Sequence, residues 1–99
     1  AKAYLISPQD QTIASIEVAD KAAIAADIGY PTLETDAVDS DQLFFDEECF
    51  IRATPGRFQI DNLIPVAGKG VVVGVADDGE TLTDVQIDLD TLRSRTVFK

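Results

Sequence analysis

Carboxylates are the side chains this sequence carries in chemically suggestive number. Between Lys21 and Arg52 lie eight acids, Asp27, Glu34, Asp36, Asp39, Asp41, Asp46, Glu47 and Glu48, and no base. A second base-free block between Lys69 and Arg93 holds Asp77, Asp78, Glu80, Asp84, Asp88 and Asp90. Such residues can ligate a hard cation, run acid–base chemistry in pairs, face a basic protein surface, or keep a face solvated. The spacing of Asp36, Asp39, Asp41 and Asp46 to Glu48 matches no metal loop. Asp77-Asp78-Gly79-Glu80 sets acids side by side where an EF-hand alternates them, and a tight turn accounts for it. Glycoside hydrolysis needs a cleft and a sugar platform, and two Tyr, five Phe and no Trp in 99 residues offer little of either. We therefore expect no catalysis, no metal and no cofactor. Asp36, Asp39, Asp41, Asp46, Glu47 and Glu48 are the expected partner-binding residues, reading lysines and arginines; the plain alternative is a solvated acidic face.

Other chemistries fail on residue type. With no His, every Ser-His, Cys-His and His-ligated metal scheme is excluded. Cys49 stands beside Glu47 and Glu48, whose charges disfavour a thiolate, so it reads as a small packing residue. Being alone, it forms no internal disulfide, which fits a reducing cytoplasm. Ala67-Gly68-Lys69-Gly70 has the glycines and lysine of an anion loop. It leads into a β-branched strand instead of opening a helix with Ser or Thr, so a turn before a strand is the simpler reading. The formal charge of −10 repels nucleic acid and anionic lipid and favours basic protein surfaces. Neither a signal-peptide pattern nor an apolar run long enough to span a bilayer is visible.

These side chains need a scaffold, and 99 residues with 45% hydrophobic content suffice for one domain, residues 1–99. Lys2 to Ser7 and Thr12 to Val18 read as a hairpin about Pro8-Gln9-Asp10-Gln11. Asp20 is placed to cap a helix over Lys21 to Ile28, stopped by Gly29 with Pro31 beyond. Thr32 to Val38 and Gln42 to Asp46 form a second hairpin about Asp39-Ser40-Asp41. Glu47 to Val66 reads as loop with one short strand near Phe58 and Ile60. Gly70 to Ala76 is the strongest strand, apolar enough to be buried on both faces, and turns through Asp77-Asp78-Gly79-Glu80 into Thr81 to Gln86. Asp88 or Asp90 caps a last helix to about Ser94, and Val97-Phe98 docks on the sheet. The expected fold is α+β, a mainly antiparallel sheet of five or six strands with two short helices.

The chain resembles small acidic proteins of bacteriophages, plasmids and other bacterial mobile elements, a group of unknown function. The likeness is carried by Lys2-Ala3-Tyr4-Leu5-Ile6 with Pro8, and by the stretch from Pro65 through Lys69 and Gly74 to Asp77-Asp78-Gly79-Glu80 and Leu92-Arg93-Ser94-Arg95. It covers about half the chain and contains no catalytic motif. The resemblance implies a mobile-element origin in the cytoplasm of a bacterial host. Small acidic proteins of that origin often block host defence by imitating DNA or plugging a nucleic-acid channel. The function expected is thus inhibition of a host nucleic-acid-binding defence complex, of anti-CRISPR or anti-restriction type, without direct nucleic-acid or membrane binding. The alternative is a non-catalytic structural or housekeeping protein with a solvated acidic surface, for which an exposed strand edge offers a route to a homodimer.

Overall fold

Alternating side chains build the hairpins, and the computed structural model, which describes residues 1–99, places them in two sheets. The elements are β1 (Lys2–Ser7), β2 (Thr12–Glu17), α1 (Lys21–Ile28), β3 (Leu33–Val38), β4 (Asp41–Asp46), α2 (Cys49–Arg52), β5 (Arg57–Ile60), β6 (Val66–Ala67), β7 (Gly70–Val75), β8 (Leu82–Thr83), α3 (Leu89–Arg95) and β9 (Thr96–Phe98). The larger sheet runs β2-β1-β7-β4-β3, with β8 also paired to β7; the smaller is β6-β5-β9. Every pairing is antiparallel, and the fold is α+β as expected.

The β-branched run lies at the centre because only a central strand can bury both of its faces. Val71 and Val73 point into a cluster with Ala3, Val18, Ile24, Ile28 and Phe44, covered by α1. Val72 points the other way, into the larger cluster with Tyr4, Ile6, Leu43, Phe45, Phe58, Ile60 and Leu92, covered by the small sheet and α3. Helix α1 starts where Asp20 accepts a hydrogen bond from the Ala23 amide and ends at Gly29 with φ 96°. Asp88, one of the two acids expected to cap α3, does so, accepting from the amides of Asp90 and Thr91.

Three features differ from expectation. The stretch read as loop contains α2, whose four residues are too few to show a helical period in sequence. Strand β8 spans two residues where six were expected. The flank of β7 is already occupied: Gly70 to Val72 pair with β1, which leaves Gly74 and Val75 for Thr83 and Leu82. The docking apolar end is itself a strand, β9, pairing Phe98 with Phe58 in a sheet of its own.

Strand direction defines two ends of the molecule. β1, β4 and β9 run toward the end that carries Pro8, while β2, β3, β5 and β7 run toward the end that carries Asp39. No helix is long and apolar enough to cross a membrane.

Candidate functional site

The six acids expected to form one contact surface do not form one. Asp41 and Asp46, at opposite ends of β4, are 1% and 2% exposed, which removes them from any surface. Their sequence neighbours gave no sign of this, because the two lie on opposite faces of β4 and it is the strand's place inside the sheet, covered on both sides, that buries both. Asp41 shares a face with Leu43 and Phe45, and its carboxylate accepts hydrogen bonds from the amides of Gln86 (2.9 and 3.1 Å) and Ile87 (2.9 Å). It ties the segment after β8 to the sheet. Asp46 accepts from Arg52 Nε at 2.8 Å and from the Glu48 amide at 3.1 Å. Arg52 in turn reaches Glu48 at 3.3 Å and lies 4.1 Å from the centre of the Tyr30 ring. This network fixes α2, and Cys49, wholly buried, is the packing residue anticipated.

The remaining four separate. Glu47 and Glu48 are exposed at the Pro8 end, Asp36 is half-buried on edge strand β3, and Asp39 is exposed in the turn at the other end. Asp39 and Asp61 close on the same guanidinium, that of Arg95, with Asp39 Oδ2 2.6 Å from Nη1 and Asp61 Oδ2 against Nη2. The hydrogen bonds from Arg95 hold both carboxyls below the usual carboxylate range, and the two acids together push the arginine up.

A different acidic surface emerges from the topology. The β3–β4 turn brings Asp39 to one end of the sheet, and β5 brings Asp61 there. The β7–β8 turn adds Asp77, Asp78 and Glu80, with Glu80 3.5 Å from Lys21 at the start of α1. Asp84 accepts from the Lys2 amide at 2.8 Å, and Glu17 at the end of β2 lies 3.4 Å from the N-terminal ammonium. Acids from both sequence blocks and from neither, such as Glu17 and Asp61, thus share one end. Only pairing register could reveal this.

The Asp77 to Glu80 segment is the turn expected. Gly79 adopts φ 74°, and Asp78 accepts from the amides of Glu80 and Thr81 at 2.8 Å each and from the Thr81 hydroxyl at 2.6 Å. The Thr81 hydroxyl, followed by these amides, lowers the Asp78 carboxyl to about 2. No group of three or more Cys, Asp or Glu side chains converges on a common point that would hold a metal ion. Gly68, at φ 85°, sits in the turn between β6 and β7, as the reading of Ala67 to Gly70 anticipated. No protein-family model, no curated protein and no solved structure matches this chain.

Proposed function

We propose that the protein is a non-catalytic acidic binding module that docks its Asp39 end on a basic, nucleic-acid-binding surface of a host protein. In keeping with the resemblance, it acts as an inhibitor of a defence complex, of the CRISPR-effector or restriction type, by occupying the channel that nucleic acid would fill. The observation that supports this is the convergence of acids from separate stretches on one end of a rigid antiparallel sheet. Like charges gathered on a fixed scaffold repel one another, and a basic partner relieves that repulsion.

The experiment is capture from host lysate at low and moderate salt, followed by competition between the protein and nucleic acid for the complex recovered. Salt-sensitive capture of a basic nucleic-acid-binding complex is expected, lost when Glu17, Asp77 and Glu80 are all replaced by lysine. None of these three side chains accepts a hydrogen bond from a backbone amide, and the Glu17 and Glu80 carboxylates make their ion pairs from exposed positions where such pairs contribute little, so circular dichroism of the variant is expected to match that of the parent. Capture indifferent to these reversals, or no competition with nucleic acid, would favour the solvated-surface alternative.

A further inference from the structure

Three loops spaced far apart in sequence meet at the Pro8 end. One joins β1 to β2, one leads from α2 into β5, and one joins β6 to β7. They interlock at glycines: a Cβ on Gly56 would lie 2.9 Å from the Gln9 amide nitrogen, and one on Gly68 would lie 3.1 Å from Thr54 Cγ2. Both have positive φ, 82° and 85°, so the contact demands glycine twice over. Where the loops meet, a cavity of about 330 Å³ opens, a volume that suits a small molecule.

Ser7, Gln9, Tyr30, Thr54 and Lys69 line this cavity. No hydrogen bond or ion pair of the chain involves the side chains of Ser7, Gln9, Thr54 or Lys69, so two hydroxyls, an amide and an ammonium in the lining are uncommitted, while the Tyr30 ring is held by the Arg52 guanidinium. The buried carboxylate in the wall, Asp46, is already committed to Arg52 and the Glu48 amide. Asp10 remains as a free acceptor at the rim. Arg57 and Lys99, hydrogen-bonded through their backbones at 2.9 Å, also lie at this end, and neither they nor Lys69 forms an ion pair. Lys2, the fourth cation without an ion pair, lies at the Asp39 end, and Asp10, Glu47 and Glu48 share the Pro8 end, so the attraction for an anion is local to the Lys69 ammonium at the cavity.

We propose that this cavity binds a small sugar phosphate. The phosphate meets the Lys69 ammonium and the hydroxyls of Ser7 and Thr54, the sugar hydroxyls meet Gln9 and Asp10, and Tyr30 forms an apolar wall. The test is an amide chemical-shift titration of the whole protein with ribose 5-phosphate, with ribose and with inorganic phosphate. Saturable shifts at Gln9, Thr54 and Gly68 to Gly70 are expected with ribose 5-phosphate and not with ribose. Lys69→Ala, on an exposed turn, should weaken binding about tenfold, as loss of a charge-assisted hydrogen bond does. Thr54→Val should weaken it less, with the spectrum of the free protein unchanged elsewhere. No shift at millimolar sugar phosphate overturns the proposal, as does binding that Lys69→Ala leaves intact. Inorganic phosphate binding as tightly as ribose 5-phosphate would leave an adventitious ion only and overturn it as well. These outcomes are read at the Pro8 end and do not bear on the acidic end.

Discussion

A buried carboxylate is stable only when its lone pairs are taken, and Asp41 takes two backbone amides that have no other partner. Replacing Asp41 by Ala leaves the Gln86 and Ile87 amides unsatisfied beside the core, at about 1–3 kcal/mol for each that stays dry. Asp41→Ala should therefore lower the urea midpoint substantially, and Asp41→Asn, which keeps an acceptor oxygen, should lower it less. Equal midpoints for Asp41→Ala and the parent protein would contradict this account. The same reasoning separates structural acids from those free to meet a partner: Asp41, Asp46, Asp78 and Asp88 each hold backbone amides, while Glu47 and Asp77 hold none.

Strands β7 and β8 depend on a glycine whose neighbours leave no room. A Cβ on Gly74 would lie 2.3 Å from Thr83 Oγ1 and 2.9 Å from the Asp84 carbonyl oxygen, and the second of these is backbone that cannot swing aside. Gly74→Ala should cost about 1–3 kcal/mol as an overpacked site and loosen the two-residue β8 pairing. Gly79→Ala, in the adjoining turn, meets no atom within 4 Å and carries only the strain of φ 74°. It should cost about 1 kcal/mol. Thermal unfolding of the two variants checks the order, and a milder effect at Gly74 than at Gly79 would refute it. Much of the element level was legible beforehand: β1 and α1 have the predicted bounds because turn residues, a capping acid and a stop glycine mark them. Helix α2 was not, since Cys49 to Arg52 is held by Asp46, six residues before Arg52, and by the ring of Tyr30.

Across the whole molecule, net charge and the depressed acids act oppositely as pH falls. The charge of −10 makes the compact state self-repelling at neutral pH, and protonating unpaired acids relieves this. Asp39, Asp61 and Asp78 work in the other sense. Their carboxyls lie below the usual 3.8 in the folded protein, Asp78 at about 2. Their stabilisation is therefore complete above about pH 4 and lost as pH falls through the folded values. The stability difference between the parent protein and Asp78→Asn should be constant from pH 7 to about 4 and shrink toward pH 2. Urea titrations of both across that range measure it, and a difference that grows on acidification would have the wrong sign.

Sequence alone determined the fold class, the central place of Val71 to Val73, the hairpin turns and the caps, because each rests on neighbours a few residues apart. It also determined the acidic balance that shapes the proposed partner. Tertiary structure decided which acids face solvent. Asp41 and Asp46 lie in an acid-rich run that reads as one surface, yet the pairing of β4 with β7 and the segments after β8 and β4 turn both inward. The same long-range pairing carries Glu17, Asp61 and the Asp77 to Glu80 turn to a common end, and sets Lys69 among hydroxyls from β1 and two loops. Charge in a chain is a property of composition, but a charged surface is a property of register, and register is set by contacts far apart in sequence.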